Sequence, residues 1–173
     1  MLQDFIDEYT RYRLIGQRAL AQMPDAALNH LPAVDGNSAA MIVFHVSGNL
    51  TSRFTDFLTA DGEKPWRARD EEFSDRSCSR ADVDALWAAG WGVLERTLAR
   101  LTDADLAGTV TIRQQELTVH AALCRSLAHV SYHVGQIVLL ARMLASQPWQ
   151  YLSIPKGESD AYNANATLEK APR

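Results

Sequence analysis

The feature that most constrains this chain is Leu117–Gln147, LTVHAALCRSLAHVSYHVGQIVLLARMLASQ, its longest uninterrupted helical pattern and the location of its only closely spaced histidine pair. Leu123, Leu127, Val130, Val134, Ile137, Ala141 and Leu144 recur at alternating steps of four and three, which lines apolar side chains along one seam of a helix packed in a bundle. At 3.6 residues per turn, His129 and His133 lie about 40° apart, one turn above the other, and roughly 90° off the centre of that seam. This is the flank of a core, where a cleft between helices forms. Two imidazoles so spaced can reach one divalent ion about 2 Å away without bending the helix. The pair is also compatible with two core-flank histidines hydrogen-bonded to neighbours, and a third ligand from another helix is what would decide.

The chain has 173 residues, 47% of them hydrophobic, enough for one compact domain, and we expect a single domain over residues 1–166 with a disordered tail at 167–173. A net charge of −4 lacks the basic surplus that phosphate-backbone binding needs, which argues against nucleic acid as a partner. The acidic start MLQDFIDEYTRYR has no basic-then-apolar signal layout, and no segment reaches about 18 charge-free apolar residues, so we expect no membrane span and a cytoplasmic protein. Two cysteines, Cys78 in a polar loop and Cys124 in the long helix, make neither a disulfide framework nor a cysteine-rich zinc site. Cys124 reads as packing and Cys78 as an incidental thiol.

Three further helices are expected. The first runs from about Leu2 to Met23, with Phe5, Tyr9, Tyr12, Leu14, Ile15 and Leu20 on its apolar face, and stops at Pro24-Asp25. The second, capped by Asn37 or Ser38, runs to about Thr59, and Asp61-Gly62 closes it. His45 lies in its apolar stretch, with Gly48 and Asn49 on the same side; glycine permits a close approach to the backbone, and the Asn49 amide suits a polar contact. A buried imidazole needs partners, and His45 reads equally as a satisfied core histidine or a ligand. The third helix is capped by Ser79 with Asp82, buries Val83, Leu86, Trp87, Trp91, Leu94, Leu98 and Leu101, and ends near Asp103.

Between the second and third helices the polar run DGEKPWRARDEEFSDRSCS is a long loop of the kind that is often functional. Trp66 and Phe73 are expected to anchor it, Arg67, Arg69 and Arg76 to face an anionic group near a site mouth, and Asp70-Glu71-Glu72 to be a solvated acidic turn. The segment around Val110, Ile112, Leu117 and Val119 reads as a small hairpin about Arg113-Gln114-Gln115-Glu116. His30 falls in a surface loop, and His120, on nearly the opposite helical face from His129, cannot share its ion. Past Gln147 an irregular strap is expected.

Four amphipathic helices with one long loop and a hairpin-like crossover make an all-α four-helix bundle. The separated motifs H-x-x-G-N at His45–Asn49, R-x-x-D-F-L at Arg53–Leu58, D-G-E-K-P-W at Asp61–Trp66, AHVSYHVGQIVLLARM and PKGESDAYN resemble the DinB/YfiT-like superfamily of metal-dependent bundle proteins, in particular an uncharacterised DinB-like branch. The resemblance spans almost the whole chain. It implies a metal triad of one histidine on the second helix and two on the fourth, here His45, His129 and His133, holding one divalent ion per chain, nickel or zinc first, iron or manganese next. It also implies a homodimer and a small-molecule substrate. Studied members include thiol S-transferases that use low-molecular-weight thiols such as bacillithiol or mycothiol, and a maleylpyruvate isomerase.

Three protein ligands leave a coordination position open, as in catalytic sites. An enzyme is therefore expected, and the resemblance implies the thiol S-transferase type, in which the ion activates a thiol or water and Asn49, Tyr132 or Gln136 contacts the substrate. Cys124, turned about 140° from His129, is not the nucleophile. A metal-dependent hydrolase is the first alternative, and a non-catalytic, metal-stabilised dimeric binding or stress-response protein the second. Val138, Leu139, Leu140 and Met143 point to several sides of the fourth helix, more than one core can cover, which also favours a homodimer.

Overall fold

The apolar seam builds a single helix, α4 (Val119–Leu144), capped by Thr118, whose hydroxyl accepts the Ala121 N–H. The computed structural model describes residues 1–166, so the tail expected at 167–173 lies outside the described residues. Around α4 stand α1 (Leu2–Ala21), α2 (Ala39–Phe54) and α3 (Arg80–Leu98), with a two-stranded hairpin, β1 (Thr109–Ile112) and β2 (Gln115–Thr118), before α4 and a short α5 (Ser159–Asn163) after it. α2 packs chiefly on α3 and α1 on α4, while α2 also faces α4. The core of Leu20, Leu28, Val43, Leu50, Trp91, Leu94, Leu123, Val130, Val134 and Ile137 is sealed from water. The fold is thus an all-α four-helix bundle. Among the described residues, no helix is long and apolar enough to cross a membrane.

Capping follows the local chemistry. Ser38 accepts the Met41 N–H at 3.2 Å to start α2, and Ser79 and Asp82 form the reciprocal box that starts α3. Close approach of α2 to α3 is set by Gly90, where a methyl group would stand 2.5 Å from the Ser47 Cα.

Two expectations about boundaries are corrected. α2 ends at Phe54 rather than near Thr59, because Thr55 is extended and Asp56 turns left-handed at φ 51°. Thr97 Oγ1 takes up the freed Phe54 carbonyl at 2.9 Å, and Phe54 and Phe57 both point inward. α3 ends at Leu98, and a short turn at Asp103–Ala107 follows.

The early exit from α2 lets the Asp61–Lys64 run dock against the hairpin. Arg113 and Gln114 at its tip both have positive φ, 52° and 62°, the geometry of a two-residue turn usually filled by Asn-Gly. Asp61 stabilises it by accepting the N–H groups of Arg113 at 2.9 Å and Gln114 at 2.7 Å, and Gly62 donates to the Thr111 carbonyl at 2.7 Å. Trp66, expected as an anchor, is exposed at 57%; Lys64 is the buried residue, its ammonium donating to the Asp61 carbonyl. The strap after α4 is tied by Gln22, which accepts the Gln150 N–H and donates to its carbonyl.

Cys124 does not pack as expected: it is exposed beside His120, while Cys78 is half-buried against the core. Of the four α4 positions expected to seek a partner, Leu140 is buried and Val138 half-buried, leaving Leu139 and Met143 exposed at 60% and 67%.

Candidate metal centre

α2 presents His45, and α4 presents His129 and His133, to one point between the two helices. Their Nε2 atoms converge: His45 to His129 at 3.1 Å, and His133 to His129 at 3.2 Å. One ligand atom from each lies within 4.8 Å of the others. His45 and His133 are buried and His129 half-buried. Among the described residues no other group of histidine, cysteine or carboxylate side chains is arranged in this way. His30 and His120 are exposed and stand apart.

The outer nitrogens fix the tautomers of two of the three rings. His45 Nδ1 lies 2.7 Å from the Glu72 carboxylate and therefore carries its proton there. His133 Nδ1 lies 2.7 Å from Gln136 Oε1, whose orientation is set by its amide donating to the Tyr132 hydroxyl at 3.2 Å. Both rings then aim an Nε2 lone pair at His129 Nε2. A proton on His129 Nε2 can serve only one of these contacts, and the other would set lone pair against lone pair. A cation at the convergence point satisfies all three, so the donor set fits a divalent metal, with neutral imidazole as ligand. His129 Nδ1 is buried without a hydrogen-bond partner among the described residues.

Electrostatics favour neutral rings. Burial, then the neighbouring His133 and His45, pushes the His129 pKa down to about 3. Burial lowers His133 as well, against the opposing bond from Gln136.

Glu72 is the residue that sequence reasoning missed. Expected in a solvated acidic turn, it is 3% exposed, in a single turn at Asp70–Phe73. Arg67 closes on it with two bonds of 2.8 Å, its side chain 2% exposed. Burial works to raise the Glu72 carboxyl, but bonds from His45 and Arg67 outweigh it and hold its pKa below the usual range. Gly48 makes room, since a methyl group there would touch Glu72 Oε1 and stand 2.9 Å from its Cδ. This close approach is the one the glycine of H-x-x-G-N permits. Phe73, the other expected anchor, tilts against the His45 ring with centroids 4.6 Å apart.

The histidines face a cavity of about 460 Å³ between α2, α4, the loop and the hairpin. Asn49, Tyr132 and Gln136 line it, as do Arg67 and Arg69. Arg76 does not; it lies over the Phe44 ring at 3.7 Å instead of facing the site.

Comparisons with known proteins agree with this architecture. A DinB-like protein from Bacillus subtilis, YjoA, superposes with a TM-score of 0.59 at 14% identity, covering 87% of this chain and 98% of its own. A DinB-like protein from Bacillus cereus ATCC 10987 gives a TM-score of 0.62 at 17% identity, covering 86% of this chain and 97% of its own. No curated protein matches the chain. The fold is therefore that of the DinB-like proteins, and, with residues 1–158 matching the family described as "Protein of unknown function (DUF1572)", the chain belongs to that family.

Proposed function

We propose that this chain is a divalent-metal-dependent enzyme of the thiol S-transferase type, with His45, His129 and His133 holding the ion and a small electrophile bound in the adjoining cavity. The observation that carries the reading is the convergence of three Nε2 atoms beside that cavity, with the outer protons of His45 and His133 held by Glu72 and Gln136. A structural ion would call for a fourth protein ligand, and three leave room for a substrate atom. A bound ion would act as a Lewis acid, lowering the pKa of a thiol or water so that it attacks near neutral pH.

The chain's own residues hold and orient. Glu72 and Gln136 fix two imidazoles in the ligating tautomer, and the Arg67 pair keeps the Glu72 carboxylate in place. Asn49 and Tyr132 offer polar contacts, and Phe54 and Phe57 give the substrate an apolar wall. No side-chain thiol enters the cavity, since Cys124 and Cys78 are not among its lining residues; the attacking sulfur is supplied by a low-molecular-weight co-substrate. Nickel and zinc suit a set of neutral imidazoles. The proposal sets the reaction in the cytoplasm, where thiols stay reduced. It includes a homodimer formed through the exposed Leu139 and Met143 side of α4.

The test uses protein purified without a histidine tag. Elemental analysis should give one divalent ion per chain, lost in His45→Ala, His129→Ala and His133→Ala and kept in His30→Ala and His120→Ala. Unchanged metal in His133→Ala would refute the site. The metal-loaded protein should consume electrophiles faster when a low-molecular-weight thiol is added; turnover of an ester without thiol dependence would replace the transferase with a hydrolase. Light scattering should give twice the chain mass at micromolar concentration, and a monomer mass would remove the dimer.

A further inference from the structure

Besides the histidines, the cavity carries positive charge, most of which the metal centre does not use. Arg53, Arg67, Arg69, Arg113 and Arg125 line it and no carboxylate does, in a chain whose net charge is −4. Nearby acids offset most of this set but leave Arg125 without a partner among the described residues. Arg67 is committed to Glu72. Glu63 is shared, accepting from Arg53 at 3.0 Å and from Arg113 at 2.8 Å. Asp61 accepts backbone N–H groups and keeps its negative charge near Arg53, and Arg69 lies 3.6 Å from a fully exposed Asp70. Arg125 makes no hydrogen bond or ion pair among the described residues.

Arg67 and Arg69 stand at the histidine end, beside Glu72 and Phe73, whereas Arg53, Arg113 and Arg125 gather at the other. On α2, His45, Asn49 and Arg53 follow one another at successive turns, placing Arg53 about 12 Å along the axis from His45. On α4, Arg125 lies one turn before His129, about 6 Å along the axis. The hairpin leads directly into α4, and the loop leaving α2 docks on that hairpin, so the arginine-bearing ends of the two helices share one end of the cavity. Asp61 fixes the hairpin tip that brings Arg113 to the same wall.

We propose that this distal wall binds an oxyanion, a carboxylate or a phosphate, carried by the small molecule that occupies the cavity, with Arg125 as its main anchor and Arg53 and Arg113 as flanking donors. Arginine forks suit both groups, and Phe54, Phe57 and Ile112 enclose the less polar body of the ligand. The proposal rests on the metal-site reading only in directing the reactive end of the ligand to the histidines. Anion binding itself needs no metal.

The experiment therefore uses metal-free full-length protein without a histidine tag, and follows binding by calorimetry and ligand-observed NMR. The probes are succinate, inorganic phosphate and succinamide, the uncharged counterpart of succinate. Succinate or phosphate should bind at one site per chain, the better of the two identifying the oxyanion, and succinamide should not. Arg125→Gln should weaken binding about tenfold or more. Arg142→Gln, whose side chain lies over the Tyr151 ring and outside the cavity, should leave it unchanged. Failure of both anions to bind, equal binding of succinamide, or wild-type affinity in Arg125→Gln would each overturn the proposal. Metal analysis separates the two readings: His129→Ala should lose the ion but keep the anion, and Arg125→Gln should do the reverse.

Discussion

Replacing Glu72 by glutamine tests how far the centre depends on a residue that touches no ligand-side nitrogen. The wild-type carboxylate accepts three bonds, from His45 Nδ1 at 2.7 Å and from Arg67 Nε and Nη2 at 2.8 Å each, with its side chain 4% exposed and that of Arg67 2%. Glutamine keeps the volume and one acceptor oxygen, but its amide N–H₂ faces either a guanidinium or an imidazole N–H. At least one bond is lost, and Arg67 keeps a buried charge without a counter-charge. Breaking a buried pair in this way costs about 3–5 kcal/mol, and the retained acceptor puts Glu72→Gln near the lower figure. Loss of the carboxylate behind His45 should also weaken metal binding about 10- to 100-fold, or about 1.4–2.7 kcal/mol. Urea unfolding of the metal-free protein reads the first quantity, and competition against a chromophoric chelator reads the second. An unfolding free energy within about 0.5 kcal/mol of wild type, the range of an ordinary surface substitution, together with metal affinity within a factor of about two, would refute the role assigned to Glu72.

Gly48→Ala should lower metal affinity in the same direction, because the added methyl displaces the Glu72 carboxylate; a rise in stability of about 0.5–1 kcal/mol with unchanged affinity, as helix propensity alone would give, contradicts the contact. Gly90→Ala forces α2 and α3 apart at the Ser47 backbone and should destabilise the fold by about 1–3 kcal/mol in urea titrations, with a neutral result counting against the close approach. The Asp61 carboxyl is held below its usual value of 3.8, first by the Glu63 N–H and then by that of Gln114. Its folded pKa being depressed, its stabilising effect is present above the unfolded value and lost as pH falls through the folded one, so Asp61→Asn should flatten the acid limb of stability below about pH 4; identical acid limbs would refute this.

Reading the sequence located the elements whose signals are periodic or local. The four-three spacing of Leu123 to Leu144 found α4, Ser79 with Asp82 found the start of α3, and His129 with His133 on one helical line found two members of the cluster. His45 was ambiguous on its own, because a buried helix surrounds a core histidine and a ligand with the same apolar neighbours. Glu72 was invisible for a different reason. Asp70-Glu71-Glu72 has the composition of a solvated turn, and only the chain path reveals that its last member folds under α2 while Asp70 stays in water. A signal existed in two halves: a glycine one turn from His45, and an arginine five residues before the glutamate. Neither half means much without the other. Phe57 and Leu58 continue an apolar pattern past the true end of α2, whereas tertiary docking of Gly62 on the hairpin favours an earlier exit. Trp66, the expected anchor, stays exposed because the lysine ammonium reaches a loop carbonyl and Lys64 takes the buried place.

The two ends of the cavity are made from different kinds of chain. Its histidines project from long helices whose opposite sides are sealed in the core, so their spacing is as stiff as the bundle. Its far wall hangs partly on a hairpin tip and a loop, tied together through Asp61, Gly62 and Glu63. Such segments accept replacement and length change far more readily than packed helices do. Descent with modification can therefore retune which molecules fit the far wall while the spacing of the three histidines is inherited intact.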